Sequence, residues 1–242
     1  MTALNGLLVV ELCGERGQYM GKLMGDMGAR VVKIEPLQGS PERNIGPFKD
    51  DKPDPNSSLY FWARNTSKES LTVDLESPKG IAIVKKLLKK ADVFLEDRKP
   101  GFLESLGLGY EVLKKAKELV MTSLTAFGQD GPYRDYKSND LVAVVMGGIM
   151  HSCGYDDVPD SPPIRPGGGH GDFISAHYGL IGTMSALFYR DFTGVGQYLD
   201  VSAHEACSST KKFSVRQEDI KELHQPRKPF VKPFVKPWMV NT

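Results

Sequence analysis

The sequence predicts an α/β fold: a Rossmann-like, mostly parallel sheet with helices on both faces. Two observations carry that reading. Short apolar runs alternate along the chain with segments of helical period. The first of these runs also opens a strand–turn–helix–strand unit, whose crossover is right-handed in a parallel sheet.

Residues 7–12, Leu-Leu-Val-Val-Glu-Leu, read as a buried strand. A glycine-rich turn leads into a helix ending near Met27, and residues 29–35 form the second strand. Residues 36–58, rich in Pro, Gly, Asn and Asp, read as a long surface loop. Residues 71–75 form a short strand, after which Ser77 caps a helix with Pro78 at its first position. Ile81, Val84, Leu87, Leu88 and Ala91 line one face of that helix, and Lys85, Lys86, Lys89 and Lys90 form its solvated face. A strand at 93–95, a helix at 110–117 and a strand at 119–124 continue the alternation. After Asp140 the chain is apolar and glycine-rich to Met150, and residues 153–171 form an irregular loop. A helix over 174–189 carries Ala176, Gly179, Gly182 and Ala186, small residues that let another backbone approach and predict a buried helix. Thr193-Gly194-Val195-Gly196 turns into a last strand at 198–202. The sheet domain is thus set at 1–206. Residues 207–242 form a basic, proline-rich tail whose Pro229, Pro233 and Pro237 forbid helix and central strand, so it is expected to be extended or disordered.

Hydrophobic residues at 40% and charged residues at 25% fit a soluble globular chain. No apolar run approaches the roughly 18 residues of a membrane span. Residues 211–242 hold eight Lys/Arg against three Asp/Glu, which leaves the first 210 with a balance of −4, so the body does not bind nucleic acid by charge. Cys13, Cys153 and Cys207 are odd in number and scattered, which points to a reducing cytoplasm without disulfides.

Glu35 lies where a ribose-binding acid would stand in a dinucleotide fold, but Gly14, Gly17 and Gly21 do not make G-x-G-x-x-G. Close helix–strand packing is the simpler reason for them. His151, His170, His177, His204 and Glu205 lack zinc spacing, and no serine sits in G-x-S-x-G. What remains is Asp172, which ends the run Pro162-Pro163-Ile164-Arg165-Pro166-Gly167-Gly168-Gly169-His170-Gly171-Asp172 at a helix entry. A carboxylate there serves either as a helix N-cap or as a reactive group at the positive end of a helix.

Several segments, in this order, resemble the class III coenzyme A transferases, the formyl-CoA and carnitine-CoA transferase family. They are residues 28–36 (Gly-Ala-Arg-Val-Val-Lys-Ile-Glu-Pro), residues 65–75, Ala91-Asp92-Val93-Phe94-Leu95-Glu96, Pro100-Gly101, residues 106–111, residues 127–133 (Phe-Gly-Gln-Asp-Gly-Pro-Tyr), Gly171-Asp172 and residues 193–197. The resemblance implies that Asp172 attacks an acyl-CoA thioester and passes through an aspartyl-CoA intermediate, a form of covalent catalysis. Coenzyme A is then a substrate, with no permanently bound cofactor and no metal. By position, the resemblance places CoA contacts at Glu15, Arg16, Arg43, Asn65, Lys68, Asp97, Arg98 and Lys137. It implies acyl-CoA and a carboxylic acid as partners in an interlocked homodimer. It also implies a second domain that this chain lacks, so a truncated form or a non-catalytic CoA-binding fragment is an alternative. The related α-methylacyl-CoA racemases carry a histidine where this chain has Asn139, whose amide cannot act as a base. Racemisation is accordingly the second choice.

Overall fold

The computed structural model describes residues 2–155 and 161–210. Six strands, β1 (Leu8–Leu12), β2 (Arg30–Glu35), β3 (Lys68–Thr72), β4 (Val93–Glu96), β5 (Val120–Thr125) and β6 (Tyr198–Ser202), form one sheet in the order β3-β2-β1-β4-β5-β6. Every neighbouring pair is parallel. Strands buried on both faces need continuous apolar runs, and β2, β4 and β5 are almost wholly buried. The chain reverses direction of growth between β1 and β4. That is the switch point where open α/β sheets leave a crevice at their carboxyl ends.

The helices are α1 (Gln18–Asp26), α2 (Leu59–Asn65), α3 (Pro78–Leu88), α4 (Phe102–Ser105), α5 (Tyr110–Leu113), α6 (Asp140–Met146), α7 (His170–Thr193) and α8 (Ala203–Ser209). One sheet face packs Val9, Val31, Val93 and Val120 against Met20 and Met24 of α1 and Ala176 and Ala186 of α7. The other packs Val10, Ile34, Phe94 and Met121 against Val84 and Leu88 of α3 and Leu103 of α4. Ser77 caps α3 as expected, its hydroxyl accepting from the Gly80 N–H at 3.0 Å, a contact worth about 1 kcal/mol.

The small residues of α7 act as anticipated on one face only. Methyl groups added at Gly179 and Gly182 would sit 2.7 Å from Met20 Sδ and 2.8 Å from Leu199 Cδ2, and Thr183 bonds Thr122 of β5 at 2.7 Å. The opposite face leaves Ile181, Phe188 and Phe192 exposed, so α7 is a half-covered helix rather than a buried one.

Other boundaries differ from the sequence reading for physical reasons. β3 begins at Lys68, not at residue 71, because its ladder to β2 runs from Val31↔Lys68 to Glu35↔Thr72. As an edge strand it is polar, so hydrophobicity points past it. The 36–58 loop contains short 3-10 turns at Pro41–Asn44 and Lys49–Asp51 and leads into α2. The helix read at 110–117 stops at Leu113. Helix α8 runs on to Ser209, and its Cys207 packs with Ala143 and Val144 of α6. The proline repeat of residues 229–237 lies outside the described residues. Among the described residues no helix is long and apolar enough to cross a membrane.

Beneath the switch point lies a buried ion triad. Glu11 of β1 stands beside Lys33 of β2 in register, at 2.9 Å from Lys33 Nζ and 2.7 Å from Lys68 Nζ. Burial pulls Lys68 below the usual lysine range, and Glu11 offsets only part of that. Gly21 of α1 lies directly against Glu11 Oε2, and a Cβ there would overlap the carboxylate. Gly21→Ala is therefore expected to destabilise the fold by about 2–4 kcal/mol. Denaturant unfolding of the two proteins checks it, and an unchanged midpoint would show that the triad yields without cost.

Candidate active site

The entry to α7 needs backbone that side chains tolerate poorly. Gly168 and Gly169 hold φ at +80° and +78°, in the left-handed region. Gly169 is the N-cap and brings no side chain, so the first amides of α7 need an acceptor from elsewhere. Asp140, the first residue of α6, supplies it. Its Oδ1 accepts from Gly171 N–H at 2.7 Å and Asp172 N–H at 3.2 Å, and its Oδ2 from Arg165 at 3.0 Å. Asn139 caps α6 itself, its Oδ1 accepting from Val142 N–H at 3.1 Å.

Asp172 is thus not the cap of its helix. It is 8% exposed, and its Oδ1 accepts no hydrogen bond among the described residues. The Arg16 Nε lies 3.7 Å from that oxygen and likewise has no hydrogen-bond acceptor. Burial pushes the Asp172 carboxyl up to about 7; Arg16 opposes the rise, while Asp140, Glu15 and Asp97 add to it. Beside this turn opens a cleft of about 440 Å³ whose wall includes Glu15, Tyr60, Arg64, Arg165, Gly168 and Gly169, a size suited to a small ligand. The Asp172 carboxylate is not part of that wall but lies just behind it, its Oδ2 3.9 Å from where a Cβ of Gly169 would stand. Burial also pushes Glu96 to about 7, but the space beside Glu96 is only about 10 Å³. Asp172 therefore unites a perturbed carboxyl with a cleft of ligand size.

The structure separates the other expected site residues into groups. Glu15 lines the cleft and accepts from the Tyr60 hydroxyl at 2.9 Å. Arg16 faces Asp172. Asp97 accepts from Gly14 N–H at 2.8 Å and Gly17 N–H at 3.0 Å, so it fills the turn where a dinucleotide fold would hold phosphate. Asn65 donates to Gln18 Oε1 at 2.8 Å and accepts from Lys68 at 2.9 Å. The Lys68 side chain is 2% exposed, its ammonium enclosed by Glu11, Gln18 and Asn65. Arg43 is likewise engaged, through two 2.7 Å bonds to Glu35 and by stacking 4.0 Å over Phe61. Arg98 and Lys137 remain solvent-accessible.

Tyr60, Arg64, Asp140 and Arg165 escaped the sequence reading. Ser58, whose hydroxyl accepts from Phe61 N–H at 3.1 Å, was the signal for the helix that carries the first two. Arg64 stacks 3.8 Å over Tyr60 and donates to the Gly168 carbonyl at 3.0 Å. Among the described residues no group of His, Cys, Asp and Glu is arranged to hold a metal ion.

Residues 4–230 match the family described as CoA-transferase family III. Similar proteins include the acetyl-CoA:oxalate CoA-transferase of Acetobacter aceti, 38% identical over 82% of this chain and 50% of that protein. The succinyl-CoA–D-citramalate CoA-transferase of Chloroflexus aurantiacus is 37% identical over 78% of this chain and 46% of its own length. A CAIB/BAIF family protein from Brucella suis superposes with a TM-score of 0.83 at 33% identity, covering 94% of this chain and 60% of that one. The chain spans about half the length of the curated relatives it matches.

The folded pKa of Asp172 stands above the ordinary 3.8. The folded state therefore holds an extra proton between about pH 4 and 7, and its stability falls as pH rises through that window. Asp172→Asn is expected to raise stability by roughly 1–4 kcal/mol at pH 8 and by much less at pH 4. Denaturant melts at the two pH values check it, and an equal change at both would contradict the assignment. Arg16→Gln is expected to move the Asp172 midpoint upward in a carbon NMR titration, because Arg16 opposes the rise.

Proposed function

This chain belongs to CoA-transferase family III, and on that premise we propose that it carries the nucleophile of an acyl-CoA:carboxylate CoA-transferase. The observation that carries the reading is the Asp172 carboxylate: buried, near neutral pKa, with an oxygen that accepts no hydrogen bond among the described residues, behind the wall of a cleft. In its ionised form Asp172 attacks the thioester carbonyl, forming a mixed anhydride and releasing the CoA thiolate. The thiolate attacks the aspartyl carbonyl, which frees the first carboxylate product and leaves an aspartyl-CoA thioester. The acceptor carboxylate then attacks that thioester and expels the thiolate, forming a second anhydride. Attack of the thiolate on the acceptor's acyl carbon yields the new acyl-CoA and restores Asp172.

Arg16 contributes positive charge beside Asp172 without tying up Oδ1, and so favours the ionised nucleophile. Coenzyme A enters as a substrate. Arg98 and Lys137 are the expected contacts that remain open to its phosphates. The working unit in this reading is a homodimer, checked by the molecular mass of the protein in solution.

Incubating the purified protein with an acyl-CoA and then hydroxylamine should convert Asp172 to a hydroxamate that peptide mass spectrometry locates. The rate should climb about tenfold per pH unit below 7 and level off above it. Asp172→Asn should give no adduct. Binding of CoA without any adduct, where a full-length relative forms one, would reject the reading.

A further inference from the structure

Arg16 stands 3.7 Å from Asp172, yet its Nε finds no hydrogen-bond acceptor among the described residues. A guanidinium and a carboxylate that are both largely buried gain charge-assisted hydrogen bonds by closing such a gap. Some restraint therefore holds Arg16 back, and it lies in the backbone of the turn after β1.

Gly14 and Gly17 bracket the Glu15-Arg16 step, and both of their N–H groups are tied to Asp97, the residue that follows β4. The Gly14 N–H is shared between Asp97 Oδ1 at 2.9 Å and Oδ2 at 2.8 Å, and the Gly17 N–H reaches Oδ2 at 3.0 Å. The Asp97 side chain is 6% exposed and meets its neighbour Arg98 only at 3.8 Å, so the turn is its main partner. The packing leaves no slack. A Cβ on Gly17 would lie 2.5 Å from Cys13 Sγ and 3.3 Å from Asp97 Cβ, and one on Gly14 would lie 3.0 Å from Glu42 Oε1. Arg16 is tethered at its tip as well, where Nη2 donates to the Ser138 carbonyl at 3.5 Å. Held at root and tip, the guanidinium keeps its distance.

We propose that Asp97 is a positioning residue: by clamping both ends of the Glu15-Arg16 step, it fixes Arg16 at its stand-off from Asp172. As a statement about catalysis this rests on the CoA-transfer reading above. It gives Asp97 a role apart from the CoA contact that its place in the sequence implies. A shorter side chain at position 97 releases the turn, and Arg16 then closes on Asp172 and takes up the lone pair that attack requires.

The Asp172 midpoint, read by carbon NMR titration, tests it. The other groups facing Asp172 are Glu15, Asp140 with its partner Arg165, Tyr60 and Arg64 of α2, and Cys207 of α8. All of them are common to the variants compared. Asp97→Ala should lower the midpoint by about one to two pH units, the effect of a cation brought into hydrogen-bond contact. It should also slow hydroxylamine-trapped labelling above the midpoint by about tenfold, as a tied lone pair loses nucleophilicity. Asp97→Asn keeps an acceptor for the turn and should lower the midpoint less, because the charge of Asp97 adds less to the rise than Asp140 or Glu15 does. In the Arg16→Gln protein the two substitutions should shift the midpoint equally, since only charge is left to lose. Asp97→Ser, whose hydroxyl is too short to span both amides, replaces Asp97→Ala if that protein does not fold. Equal shifts by Ala and Asn with Arg16 in place, or a midpoint that rises, overturn the proposal. An unmoved midpoint with weakened CoA binding assigns Asp97 to ligand contact and overturns it too. The midpoint is read without acyl transfer, so a parent protein that forms no adduct rejects the transfer reading and leaves the clamp standing.

Discussion

The site depends on which carboxylate satisfies the start of α7. Four N–H groups at a helix N-terminus need acceptors, and an aspartate in the first turn is the ordinary candidate. Here Asp140, brought in from α6, accepts from both Gly171 and Asp172. That single contact ties α6 to α7, sets the angle at which the glycine run enters the helix, and relieves Asp172 of a capping role. The tie is reinforced from behind, where Gly171 packs against Asp140 and Val144, and Gly147 of the same segment packs against Cys207 of α8. Helices α6, α7 and α8 therefore act as one block, and the freedom of one Asp172 oxygen is a property of the block.

The strand order is that of a dinucleotide-binding sheet, yet the usual ligand position is internally filled. The turn after β1 offers its N–H groups to Asp97, and below it Lys33 and Lys68 share the single Glu11 carboxylate. A buried pair of this kind gives little net stability, but removing one partner is costly, which explains why Gly21 must leave room for Glu11. With the switch point closed, the open cleft lies between α2, the β1 turn and the start of α7. The shared topology thus says little about ligand, which the side chains at the crevice decide.

Much of this was legible in the chain. Strands β1, β2, β4 and β5 are largely apolar runs, the turn at 193–196 announces β6, and Ser77-Pro78 announces α3 through cap chemistry that needs no tertiary context. Asp172 stood out because glycine crowds one side of it and a helical period follows. The edge strand β3 was misplaced because pairing with β2, not hydrophobicity, fixes its register. Helix α2 was missed because seven residues with mixed aromatic and polar faces carry no period. Arg43 and Lys68 were placed as CoA contacts by position, and only the fold shows that Glu35 and Glu11 pair with them. Arg64 was invisible for the complementary reason, since its place over Tyr60 and against the Gly168 carbonyl is a fact of space.

Two arginine–carboxylate contacts in this chain show how geometry decides the outcome. Arg43 meets Glu35 through two 2.7 Å bonds, and Ser70 and the Ser40 N–H add to them. Burial alone would raise Glu35, but these bonds outweigh it and hold the carboxyl at about 2. Arg16 approaches Asp172 only to 3.7 Å with no hydrogen bond, and there burial wins and the carboxyl rises to about 7. The first arrangement saturates both oxygens with donors, lowers their basicity and leaves a structural clasp. The second supplies charge without occupying a lone pair, so the carboxylate keeps the basicity that nucleophilic attack requires while remaining ionised in a useful fraction near neutrality. A closer Arg16 would turn Asp172 into another Glu35, and its absence would leave a neutral acid. The loose contact is therefore the arrangement that a carboxylate nucleophile needs.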